Sequence, residues 1–299
     1  MINKEEKQYS LSIIYSYLIK REMMNILITG ASGFIGNHIV NELSQDNHNI
    51  TACMHKTPVK NSKNIAIDFI NMQSEDGWMP HLNNIDVVIN CVGIIAETKT
   101  QSFDVMHHIT PVALFKACEQ SGVKRVIQIS ALGADEKAMV AYHKSKKQAD
   151  DYLRSSHIEW FILQPSLVYG KGGESFQFFQ WLSRLWLIPL IGQGKQMIQP
   201  VHINTVVQTI KQCLMTIETN QTIEVVGKQA ISFKDWITSL REKKSKPRYI
   251  SIPTGLMKFI ARLFKPFKFK LISEDNLIML EQNNTGDYNK LKSFLENEK

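Results

Sequence analysis

Short apolar runs alternate with helical stripes along the first half of the chain. Asn25-Ile-Leu-Ile-Thr29 is a β-branched run that Gly30 stops, the pattern of a strand buried on both faces. Ile35, Ile39 and Leu43 then recur at helical spacing. Further strands are predicted at Ile50–Met54, Asn64–Ile67, Asp86–Asn90, Val123–Ser130 and Ile158–Leu163, with a helix over Pro111–Gln120 that Gly122 ends. Strands and helices alternating at this spacing make a doubly wound parallel α/β sheet, whose ligands bind at the carboxyl ends of the strands.

The second half reads differently. Gln164-Pro-Ser-Leu-Val-Tyr-Gly170 runs into a loop opened by Gly170, Gly172 and Gly173, and Phe176–Leu187 is strongly apolar. Ile191-Gly-Gln-Gly194 leads to Gln199-Pro-Val-His-Ile203, where Asn204 or Thr205 caps a following helix. A small substrate lobe is expected here. Leu256–Phe267 carries apolar residues at 256, 259, 260, 263, 264 and 267, with Lys258, Arg262 and Lys265 off the stripe. Such a basic amphipathic helix packs on the lobe or docks on a membrane surface or partner. The expected organisation is an extension over 1–23 outside the fold, a nucleotide-binding core over 24–165, and a mainly substrate-binding 166–299 that also returns elements to the core. Within the extension, Leu11–Ile19 is apolar but about half the length of a spanning helix. It reads as an upstream-start segment or as a short amphipathic anchor.

Composition narrows little. The 299 residues are 43% hydrophobic and 21% charged, as in ordinary globular chains, and the net charge of +7 suits an anionic ligand, an acidic partner or an anionic membrane. Cys53, Cys91, Cys118 and Cys213 form no CxxC pair, so no disulfide framework or zinc site is expected and a reducing, cytoplasmic setting is favoured. His107 and His108 are adjacent on a helix, which makes them surface or packing residues rather than metal ligands. No metal and no nucleic-acid partner is expected.

The chemistry lies at the strand ends. Gly30, Gly33 and Gly36 are three residues apart between a strand and a helix. This is GxxGxxG in the setting where glycines let the backbone approach a pyrophosphate at a helix N-terminus. The second strand ends in Met54-His55-Lys56 with Lys60 behind and no carboxylate, which favours a ribose 2′-phosphate, hence NADP(H) over NAD(H). Asp68 ends the third strand, where a carboxylate can accept the adenine amino group. Asn90 can brace the adjoining loops, and Gly93 lets the backbone pass close to a cofactor. Tyr142 and Lys146 stand one helical turn apart. A lysine there is expected to lower the phenol pKa and fit Tyr142 for acid–base work near neutral pH.

From Met24 to about Ile210 the chain resembles the extended or atypical short-chain dehydrogenase/reductases, and within them bacterial proteins similar to the nucleotide-binding accessory subunit of respiratory complex I. The resemblance rests on Gly30–Gly36, Val126–Ala134, Tyr142–Lys146, Leu163–Gly173 and Pro189–Ile203. It implies a Rossmann-type NAD(P) domain with Tyr142 and Lys146 as the dehydrogenase pair. Three departures stand out: the assisting serine falls near Ala131, with Ser130 one residue early, the loop from that strand to Tyr142 is short, and Gln164 occupies a place that often holds arginine. Some relatives of this kind bind NADPH without known turnover. The candidate catalytic residues are Tyr142, Lys146 and Ser130. The candidate cofactor contacts are Gly30, Ser32, Gly33, Phe34, Ile35, Gly36, His55, Lys56, Asp68, Asn90, Gly93, Tyr142, Lys146 and Pro165. The expected ligands are NADP(H), with NAD(H) as the alternative, and a small-molecule substrate. The expected activity is that of an oxidoreductase or epimerase-like enzyme, set against a non-catalytic NADPH-binding accessory or regulatory protein of a membrane complex.

Overall fold

Strand β1 (Asn25–Thr29) is the centre of the molecule, with Ile26, Leu27 and Ile28 wholly buried. The structure, a computed structural model, describes residues 23–242, 247–253, 255–256 and 273–296. The expected extension over 1–23, apart from Met23, and the expected helix over Leu256–Phe267, apart from Leu256, lie outside the described residues.

In chain order the core comprises β1, α1 (Phe34–Leu43), β2 (Asn49–Met54), β3 (Lys63–Ala66), β4 (Val87–Asn90), α2 (Thr110–Ser121), β5 (Arg125–Ile129), α3 (Ala141–Ser155) and β6 (Glu159–Pro165). From the second half, α4 (Ile203–Met215), β7 (Gln221–Val225) and α5 (Tyr288–Glu296) join them. The seven strands pair in the order β7-β6-β5-β4-β1-β2-β3, parallel throughout. This is a Rossmann-type sheet. Its order reverses between β1 and β4, so a crevice opens beyond their carboxyl ends.

Alternation along the strands divides the core into two layers. Ile26 and Ile28 pack with Ile39 and Leu43 of α1, Val206 and Ile210 of α4, and Leu291 and Phe294 of α5. Leu27 and Val88 face the other way, towards Leu114 and Phe115 of α2 and Ala149 and Leu153 of α3. A third cluster, Phe179, Leu182, Ile188, Leu190, Phe233 and Trp236 among its members, forms the lobe. The lobe consists of helices Glu174–Ser183, Phe233–Ser239 and Glu274–Glu281 around short strand pairs, the longest joining Arg248–Ile252 to Leu187–Ile191. Phe176–Leu187, a single apolar stretch in the sequence, is therefore split: its helix ends at Ser183 and Leu187 opens a strand. No helix among the described residues is long and apolar enough to cross a membrane.

Candidate functional site

The turn after β1 is shaped by backbone contact. Gly30 has φ +63°, and a Cβ there would lie 2.8 Å from the Cys91 carbonyl group. A Cβ on Gly36 would lie 2.4 Å from the Gly30 oxygen, while one on Gly33 would meet only that oxygen, at 3.1 Å. Gly30 and Gly36 thus permit the turn to close. Gly33 is the N-cap of α1 and offers no side chain to its first-turn N–H groups. Those unfilled donors and the positive end of the helix form a cradle that fits a pyrophosphate.

The cradle opens into a cleft of about 840 Å³ that also borders the lobe. Ser32, Gly33, Phe34, Ile35, Gly36, Gly93, Ser130, Tyr142, Lys146 and Pro165 all line it. Gly93 lies beside Lys146 and His107: a Cβ there would make ordinary contacts, 3.6 Å from Lys146 Nζ and 3.5 Å from His107 Nε2. Lys146 is buried and donates to the Ile129 carbonyl at 3.0 Å. Burial outweighs the nearby Asp150 carboxylate and brings its pKa down to about 8.

Two sequence expectations need correction. Lys146 does not lower the Tyr142 phenol; burial pushes it up to about 12. The ammonium stands 5.8 Å from the ring centroid, too far to offset desolvation. Asn90 is buried and does not line the cleft. It is bonded to Thr29 Oγ1 at 2.5 Å and donates to Gln128 Oε1 at 2.7 Å, tying β4 to β1 and β5. Its role in the structure is the brace, not the contact.

His55, Lys56 and Asp68 gather beyond the ends of β2 and β3, away from the cleft lining. His55 Nε2 lies 3.9 Å from Asp68 Oδ1, with both side chains about half exposed. Asn71 donates to the other Asp68 oxygen at 2.9 Å. Lys56 is exposed.

Three residues outside the candidate set belong to this environment. Asp150, fully buried on α3, accepts the Ser130 hydroxyl at 2.5 Å, so the serine's proton is already committed. Its other oxygen has no hydrogen-bond partner, and burial raises its pKa to about 6. His107 sits on a π-helical turn, Val105–Ile109, that runs into α2. Its Nε2 accepts from the Ile94 N–H at 2.9 Å, which puts the ring proton on Nδ1, facing Ser145 Oγ at 3.1 Å. Burial and the Lys146 charge hold it neutral, far below the ordinary histidine range, with its ring edge-on to Tyr142. Asp275 of helix Glu274–Glu281 stands at the start of α3, where the backbone N–H groups of Ala141 and Tyr142 partly offset the burial that raises its pKa. A sequence signal existed for Asp150 alone, one turn beyond Lys146 on the same helix face.

The profile of the NAD(P)H-binding family matches residues 30–179, half of the chain. The chain belongs to that family. The family is one of NAD(P)H-binding proteins, so the ligand that the cradle fits is a nicotinamide nucleotide. It is 24% identical over 247 residues to an Arabidopsis thaliana mitochondrial protein, NADH dehydrogenase [ubiquinone] 1 alpha subcomplex subunit 9, covering 78% of this chain and 61% of that one. It is 26% identical over 184 residues to the ceramide reductase of Caulobacter vibrioides, covering 60% and 57%. The chain thus spans less than two thirds of either relative. Among solved structures, a UDP-glucuronic acid 4-epimerase from Bacillus cereus, in complex with UDP-glucuronic acid and NAD, shares the fold at TM-score 0.68 and 18% identity, over 91% of this chain and 93% of that one.

Proposed function

We propose that the protein is an NADP(H)-dependent oxidoreductase of the epimerase-like short-chain type, acting on a carbonyl or alcohol with Tyr142 as the proton-transfer group. One observation carries this reading: the glycine cradle of α1 and the Tyr142–Lys146 pair line one continuous cleft. When bound, a nicotinamide cofactor supplies or accepts the hydride. Tyr142, with its phenol up at about 12, holds its proton at neutral pH and is ready to give it to a carbonyl oxygen. Lys146, pinned to the Ile129 carbonyl at 3.0 Å, is placed to hold the nicotinamide ribose. Ser130 supports Asp150 rather than substrate. His55 and Lys56 supply positive charge for a 2′-phosphate, with Asp68 towards adenine; Asp68 also draws on His55, so the preference for NADP(H) rests mainly on Lys56. In this reading residues 24–165 hold the cofactor and 166–299 mainly the substrate, in a cytoplasmic protein.

Measuring NADPH consumption across a carbonyl panel tests the proposal. Tyr142→Phe should lower the rate by about 10²–10⁴-fold and leave NADPH affinity unchanged. Activity that survives this change at the wild-type rate removes Tyr142 from the reaction.

A second reading is a non-catalytic NADPH-binding accessory protein of a membrane complex, contacting it through the basic 256–267 segment. The commitment of Ser130 to Asp150 favours it, since that serine cannot also assist Tyr142. So does the likeness to the Arabidopsis mitochondrial NADH dehydrogenase subunit. Tight NADPH binding with no turnover on any carbonyl would select it.

A further inference from the structure

The cleft extends past Tyr142 into the lobe, and its lining there has a definite chemistry. One wall is apolar, formed by Leu167, Val168, Phe178, Phe179, Met279 and Leu280. The polar lining of that end is amide, hydroxyl or acid: Asn283, Asn284, Ser175 and Thr285 with Glu174 and Glu224, and Asp135 near His143. Among the described residues that line the cleft, Lys146 is the one lysine or arginine, and its amino group is already bonded to the Ile129 carbonyl. His143 is no cation either, since burial brings its pKa down to about 4. A diphosphate in this half would lose its water beside carboxylates without gaining a partner charge, an arrangement that burial penalises strongly.

The apolar wall also has an outlet. The Phe178 ring lies 5.9 Å from that of Trp181, one turn further along helix Glu174–Ser183. Trp181 is 56% exposed. Apolar surface therefore runs from the cleft interior to solvent, where an isolated binding pocket would have closed over its ligand.

We infer that the lobe half of the cleft takes an uncharged carbonyl or alcohol carried on a long apolar body, laid along Phe178 towards Trp181, and rejects nucleoside diphosphate sugars. This rests on the cofactor reading above, so NADPH affinity is measured first, by its fluorescence on binding to the full chain. The NADPH-loaded protein is then titrated calorimetrically with two probes, a medium-chain 3-oxo fatty amide and UDP-glucose. The expected result is heat of binding with the amide and a flat trace with UDP-glucose. Phe178→Glu should weaken the amide by about tenfold or more, because it sets a charge against the apolar body. Met279→Glu, on helix Glu274–Glu281, serves the same purpose if the first variant loses its melting transition. NADPH affinity should stay at the wild-type value in both. UDP-glucose binding as tightly as the amide would overturn the inference. So would an amide that fails to bind, or one that binds the variants as well as the wild type. If NADPH itself does not bind, the failure belongs to the proposed function and neither probe is needed to show it.

Discussion

The cofactor side and the lobe side of the cleft are built by different means. On the cofactor side, shape comes from main chain meeting main chain: Gly36 against the Gly30 carbonyl, Gly30 against Cys91, and strands buried on both faces. On the lobe side, shape comes from side chains. Phe179 meets Phe233 and Trp236 edge to face at centroid distances of 5.6 and 5.2 Å, beside strand pairs as short as two residues. A site made of backbone changes little unless the fold itself changes. A site made of side chains can be rebuilt residue by residue, which suits the half that chooses the substrate.

The largest test of this contrast is Gly36→Val. With backbone only 2.4 Å from the new Cβ, the turn cannot form as it stands, and a loss at or above about 3 kcal/mol is expected in chemical denaturation. Gly33→Val makes the sharper comparison: its Cβ meets one backbone oxygen at 3.1 Å, a tight contact but not a clash, so the protein should lose less stability than Gly36→Val while NADPH titration shows binding abolished. A Gly33 variant with wild-type affinity would mean the cradle is not the cofactor site.

Phe179→Ala on the lobe side should cost about 3 kcal/mol of stability by leaving a cavity beside Phe233 and Trp236. Its NADPH affinity should nevertheless stay close to wild type, measured below the melting transition. Lys56→Glu is expected to do the reverse. It should leave stability alone and weaken NADPH relative to NADH by roughly 1.5–3 kcal/mol, the range for hydrogen bonds to charged groups. Titration of both cofactors at one ionic strength decides it, and an unchanged ratio would remove Lys56 from the binding site.

The most gradual effect is in pH. Asp150 has its carboxyl raised from 3.8 to about 6 in the fold, so between those values the native state holds a proton that the unfolded chain has released. Stability then falls as pH rises through that window, by at most about 1.4 kcal/mol per pH unit from this group. Denaturant titrations from pH 4 to pH 7 should show the slope, and Asp150→Asn should flatten it.

The same contrast explains what could be read before the structure. Asn25–Thr29, Pro111–Gln120 and their neighbours fall within a residue or two of the observed elements, because strands buried on both faces and capped helices leave local marks. The glycine turn was legible for the same reason. Phe176–Leu187 was not, since an apolar run reads alike as helix or strand and only the pairing of Leu187 with Arg248 divides it. Asn90 misled because a polar residue at a strand end can face either a ligand or a neighbouring strand, and Gln128, 38 positions away, decides. His107 and Asp275 were invisible as members of the site: the partners that matter, Ile94, Ser145 and the start of α3, are brought to them only by topology.

Asp275 has a mechanical consequence. A carboxylate from near the end of the chain faces the positive end of the helix that carries the proton-transfer residue, at the N–H groups of Ala141 and Tyr142. Swinging helix Glu274–Glu281 outward would take that negative charge away from the helix N-terminus, a loss of about 0.3–1 kcal/mol. Breathing of the cleft is therefore geared to the register of Tyr142: a ligand that wedges the lobe open loosens the phenol's footing, and one that draws it shut tightens it.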